Sequence, residues 1–239
     1  MPTSVRAARA ATTSIVKRSD SGPGLPVWDL PVRLFHWSIV ALIGLSWWSA
    51  EESFDQVHFW SGYTLLFMLT FRVLWGFFGS STARFASFVR GPSALAGYLR
   101  DGKHPRAGHT PVGALSVLAM LLALLVQITS GLIQIDEDDF TEGPLSGLVS
   151  YDTALLARDV HEVSFNILLG LIVLHLLAIA YYRLIRGRSL VRPMFTGRAG
   201  LPDGAVPMTP ATKGRFAVCV SMAFLVTAAI VGAGQALSG

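Results

Sequence analysis

The sequence predicts an all-α integral membrane protein, a helical bundle, on three observations. The residues are 52% hydrophobic and only 14% charged, with a mean hydropathy of +0.52, where soluble domains average about 25% charged. Five stretches, roughly 31–50, 57–79, 112–135, 158–182 and 216–235, are apolar enough to cross a bilayer, which takes about 20 residues. The basic residues fall in blocks that alternate with acidic loops. A backbone in lipid must satisfy its own hydrogen bonds, so such spans are helices. No internal repeat is visible, and one bundle is the expected unit.

The elements follow in order. Residues 1–26, rich in Ser, Thr, Ala and Arg and poor in acids, read as a disordered cytoplasmic tail; a mitochondrial presequence has the same bias. No apolar core follows the early charges, so no secretory signal is read. The first span enters through "WDLPVRLFHW", where Asp29 can cap the helix and Pro31 fits its first turn. "EESFD" turns the chain into the second span, which opens on His58 and contains Arg72. The acidic "DEDDFTE" follows the third span. The fourth carries "HEVSFNILLGLIVLH", His161 to His175. Residues 198–214, rich in Pro and Gly, read as a cytoplasmic linker, and residues 215–239 as a fifth transmembrane helix with a periplasmic end.

Charge sets the expected orientation. Arg6, Arg9, Lys17, Arg18 and Arg33 precede or open the first span. Five basic residues lie between spans two and three, and seven between spans four and five, so 17 of the 19 share one side. The positive-inside rule places that side and the N-terminus in the cytoplasm of a bacterial inner membrane, with the C-terminus periplasmic. The pI of about 9.6 then reflects topology. No basic face is interleaved with aromatics, so no nucleic-acid partner is expected. The tryptophans lie near helix ends, as an interfacial belt requires. The single cysteine, Cys219, excludes a disulfide, an iron–sulfur ligand set and covalent haem attachment.

Four of the six histidines, His36, His58, His161 and His175, fall within spans. One such residue often just bonds a neighbouring helix; four, with almost no other ionisable group, point to function. His161 and His175 are about 21 Å apart along one helix and share a face. The topology sorts the four into two levels, His36 with His175 on the inner side and His58 with His161 on the outer. Each level offers two imidazoles from two helices. Haem iron suits this, because the porphyrin supplies four nitrogens and the protein an axial pair. Zinc needs a third or fourth ligand, and only Glu162 stands near. A proton relay more often mixes in carboxylates. Gly44, Gly62 and Gly170 allow room for a ring or close helix packing. Arg72 lies about 21 Å beyond His58, at the inner level; it either pairs with a haem propionate or snorkels to headgroups.

At these residues the sequence resembles a family. "VWDLPVRLFHWS" (27–38), "HFWSGYTLLFMLTFRVLWGFFGSSTARFASFVRGP" (58–92), "GHTPVGALSVLAMLLALLVQITSGL" (108–132) and "HEVSFNILLGLIVLHLLAIAYY" (161–182) resemble bacterial cytochromes b561, including the cytochrome b subunit of nickel–iron hydrogenases. The resemblance covers about residues 27–197. It implies a four-helix transmembrane bundle holding two b haems through four histidines, with the fifth helix an addition suited to packing or partner contact. It further implies electron transfer between the quinone pool and a redox partner protein, a hydrogenase or a periplasmic cytochrome c. Two other readings stand beside it: a self-contained oxidoreductase such as superoxide:quinone, and a histidine-dependent transporter of metal or protons. Direction of flow, quinone site and oligomeric state, a homo-oligomer included, are open. Finally, Asp136, Glu137, Asp138, Asp139, Glu142 and Asp152 gather in an outer loop read as free of basic residues. They form either a solvated turn or a landing patch for a basic partner.

Overall fold

The structure, a computed structural model, describes residues 24–89, 91–101, 108–137, 141–200 and 206–238. The expected spans appear as α1 (Leu30–Glu51), α2 (Asp55–Phe78), α5 (Pro111–Ile133), α6 (Tyr151–Leu184) and α8 (Lys213–Ser238). Short helices α3 (Phe85–Phe88), α4 (Pro92–Asp101) and α7 (Val191–Thr196) lie at the end where the basic loops fall. We call this the basic end, and the opposite one the acidic end. The protein is an all-α integral membrane bundle.

Local chemistry starts the helices, at Asp29 as the sequence suggests and at Thr110 and Ser150 where it was not read. The carboxylate of Asp29 accepts from Val32 N at 2.9 Å, ahead of Pro31 in the first turn. Thr110 caps α5 through Gly113 N at 3.1 Å, and Ser150 caps α6 through Thr153 N. These bonds satisfy amides that a helix start leaves open. With its cap at Ser150, α6 runs 34 residues, about 51 Å. That exceeds the roughly 30 Å of a hydrocarbon core, so α6 begins before the span that hydropathy marks.

α1 packs along α2, α5 along α6, and α2 also along α8, whereas α1 and α6 make little direct contact. A central apolar layer joins the two pairs, with Leu65, Leu66 and Leu69 of α2 against Leu124 and Ile128 of α5 and Leu168 of α6. In lipid, helices associate through packing and polar contacts more than through the hydrophobic effect, and small residues let them approach. Cys219 and Ala223, one turn apart, are 1% and 0% exposed where α8 meets Phe71 and Trp75 of α2. The fifth span is thus a packed part of the bundle.

The basic end is knit by backbone. β1 (Leu25–Pro26) pairs antiparallel with β4 (Arg198–Ala199), so the last residues of the expected tail belong to the fold. Gly197 closes α7 at φ 74°, and its carbonyl accepts from Val27 and Trp28 N. A Cβ there would lie 2.7 Å from Trp28 O, so glycine is required twice over. At the acidic end β2 (Ile135–Asp136) and β3 (Thr141–Glu142) form a small hairpin. The loop is not free of basic residues: Arg158 of α6 bonds Asp136 at 2.8 Å. Tyr151 donates to Glu137, and Ser146 to Glu142 at 3.2 Å. The sequence reading missed Arg158 because it lies 22 residues beyond Asp136. Asp138 and Asp139 lie outside the described residues.

One further expectation changes. Trp75 is no belt residue; it is 2% exposed and donates to Asp29 at 2.9 Å. His109, read as a loop residue among turn formers, sits between the rings of Trp28 and Phe88, with centroids 4.6 and 4.7 Å away. His104 lies outside the described residues.

Candidate functional site

At the acidic end, α2 and α6 bring His58 and His161 together with ring centroids 6.3 Å apart and planes at 72°. Each ring is aimed by a backbone carbonyl. His58 Nδ1 donates to Ser46 O of α1 at 2.9 Å, and His161 Nδ1 to Gln127 O of α5 at 2.8 Å. This is the outer bond that fixes tautomer and orientation in metal-binding histidines, and it directs Nε2 to the ligand. One metal bound to both rings would set their centres about 6 Å apart, from two bonds of about 2 Å plus the ring radii. The pair therefore fits axial ligation.

A polar cluster surrounds His161 in an otherwise apolar interface. The side-chain amide of Gln127 donates to its Nε2 at 2.9 Å, and Ser164 donates to the amide oxygen. Were His161 to hold a haem iron through Nε2, that nitrogen would give up its bond with the Gln127 amide. Gly131, one turn beyond Gln127, leaves the notch the ring occupies; a Cβ there would stand 2.7 Å from Cε1. Sequence reasoning missed Ser46, Gln127, Gly131, Ser164 and Ser130, whose hydroxyl lies 3.3 Å from His161 Nδ1. One signal was available: Gln127 is the sole amide side chain in α5, and polar groups in spans bridge helices.

At the basic end His36 of α1 and His175 of α6 lie near enough for the charge of one to act on the other. His36 Nδ1 is buried with no hydrogen-bond partner, a costly position for a polar atom unless something binds there. Among the described residues no three His, Cys, Asp or Glu side chains converge, which disfavours a zinc-type site at either level. Each level offers a pair, as a porphyrin iron requires.

Arg72 is 3% exposed, inside the protein. Its guanidinium lies 6.0 Å from the Phe35 ring and 5.3 Å from that of Phe85. Its hydrogen bond to protein, to Ala83 O, is long at 3.4 Å, and among the described residues it has no ion pair. Snorkelling to lipid does not describe this position. A buried cation rich in unused donors suits an anionic group. Asp29, whose charge it feels, already bonds Val32 N and Trp75.

The glycines divide. A Cβ on Gly44, Gly62 or Gly170 would meet nothing within 4 Å, so none serves close helix packing. Gly62 is one turn from His58 on the same face; Gly170 is exposed and opposite His161.

A sequence model of one family, described as prokaryotic cytochrome b561, matches residues 27–197. No curated protein and no solved structure matches the chain.

Proposed function

The chain belongs to the prokaryotic cytochrome b561 family, and on that premise we propose that it is a dihaem electron-transfer subunit of the bacterial inner membrane, linking the quinone pool to a hydrogenase or a periplasmic cytochrome c. Membership makes it an integral membrane b-type cytochrome that binds haem b and transfers electrons. The number of haems, the ligands and the partners are our reading. The observation that carries it is the pair His58 and His161, 6.3 Å apart and each aimed by a backbone carbonyl. His36 and His175 supply the second level.

Bound haem supplies a reversible one-electron iron couple. The chain's part is to hold and tune it. Ser46 and Gln127 carbonyls, by accepting from Nδ1, make the imidazoles stronger donors. The central layer around Leu69, Leu124 and Leu168 keeps water from between the levels. Arg72 holds a propionate at the basic end. In domain terms, residues 27–197 hold both haems, with β1 and β4 flanking them, and α8 packs on α2. The basic end faces the cytoplasm. Among the described residues no third ligand joins either pair, which favours haem over the metal-transporter reading.

The test is a reduced-minus-oxidised spectrum of purified protein with a haem count per chain. We expect a b-type band and two haems. One haem per chain overturns the dihaem reading and leaves family membership intact.

A further inference from the structure

Beyond α6 the chain is both strongly basic and exposed in apolar side chains. Arg183, Arg186, Arg188 and Arg192 are all exposed. Residues 183–200 contain no acidic residue, and among the described residues none of the four arginines has a carboxylate partner. Between them Leu184 is 81% exposed, Ile185 71% and, on α7, Phe195 61%.

This shelf is fixed in place. Trp37 of α1 stacks on Phe195 with centroids 4.5 Å apart, and its Nε1 donates to Met194 O at 3.2 Å. Arg33 donates to Phe195 O, and Arg198 to Gly24 O at 3.1 Å. The shelf therefore lies across the basic end of α1, one residue from His36, where the hydrocarbon span of α6 ends.

We propose that this shelf is a seat for anionic phospholipid headgroups. Each feature selects that occupant. Guanidinium forks match phosphate oxygens bidentately. Interleaved Leu184, Ile185 and Phe195 reach acyl chains that a soluble anion lacks, as in interfacial segments with one basic and one apolar side. The shelf's depth, at the end of a span, is that of the headgroups. Its net charge of one sign attracts an anionic leaflet surface. The seat is independent of the haem reading, since none of the four arginines takes part in it.

The experiment mixes the full-length protein with equal phosphatidylglycerol and phosphatidylcholine in nanodiscs or detergent and counts lipids that remain bound by native mass spectrometry. Phosphatidylglycerol is expected to be retained over phosphatidylcholine by about fivefold or more, the size one arginine contributes at a charged surface. Substituting Arg183→Gln, Arg186→Gln, Arg188→Gln and Arg192→Gln together should bring the ratio to about one. Should that variant not fold, the lysine variants at the same sites should keep the charge attraction but bind less tightly. Inorganic phosphate in excess should leave the retained lipid unchanged. Equal retention of both lipids by the wild type overturns the seat, as does displacement by phosphate alone, which would make it a soluble-anion site. Unchanged haem content across all variants separates this result from any failure of the haem ligands.

Discussion

Gly131 shows most sharply how one residue controls the acidic-end pair. A Cβ at 2.7 Å from the His161 ring cannot be accommodated without moving that ring, and overpacking of this kind costs about 1–3 kcal/mol. We predict that Gly131→Ala lowers haem at the acidic end and leaves the basic-end haem, measured as a fall from two haems per chain toward one. Full occupancy of both sites in that variant would remove Gly131 from the account. Arg72 gives a second test. If it holds a propionate, Arg72→Leu removes a positive charge that favours the reduced haem, which carries one more electron. One midpoint potential should then fall by on the order of 50 mV, where about 59 mV is tenfold for one electron. Unchanged potentials would leave Arg72 as the buried tie to Ala83. The histidines themselves were legible, because an imidazole in an apolar span stands out and the 14-residue spacing fixes two levels. Their supports were not. His58 and His161 lean on carbonyls of Ser46 and Gln127, and a backbone acceptor has no signature in the side-chain alphabet.

The helices show the same division between what a chain announces and what packing decides. Spans were readable from hydropathy and the first cap from Asp29, since both depend on nearby residues alone, whereas the caps at Thr110 and Ser150 were not read. Tertiary packing decided the rest. Trp75 joined the core because Asp29 meets its indole, and α8 lies on α2 because Cys219 and Ala223 are small. Enlarging Ala223, 0% exposed, should separate these helices. We predict that Ala223→Leu destabilises the protein by about 1–3 kcal/mol, seen as a lower midpoint in thermal unfolding in detergent, while the acidic-end haem is retained. An unchanged midpoint would show that α8 packs more loosely than the structure has it.

At the scale of the whole molecule, the basic and acidic ends are distinct surfaces with distinct expected neighbours. On the proposed topology, five spans put the two termini on opposite sides, and the positive-inside rule puts the acidic hairpin outside. A reporter active only outside the cytoplasm should work when fused after Ser238 and fail when fused before Leu25; the reverse pattern would invert the topology. The acidic patch is narrower than its sequence suggested, because Arg158 already bonds Asp136. Neutralising Asp136 would break that tie, so it no longer isolates an effect on a soluble partner. The central claim is that four histidines form two independent axial pairs, His36 with His175 and His58 with His161. It is tested most directly by a potentiometric titration with haem count on the wild type and on His36→Ala, His58→Ala, His161→Ala and His175→Ala. Two resolved potentials are predicted for the wild type. His36→Ala and His175→Ala should lose the same one, and His58→Ala and His161→Ala the other. A variant pair that crosses these levels, or a single substitution that removes both haems from a folded protein, would contradict the pairing.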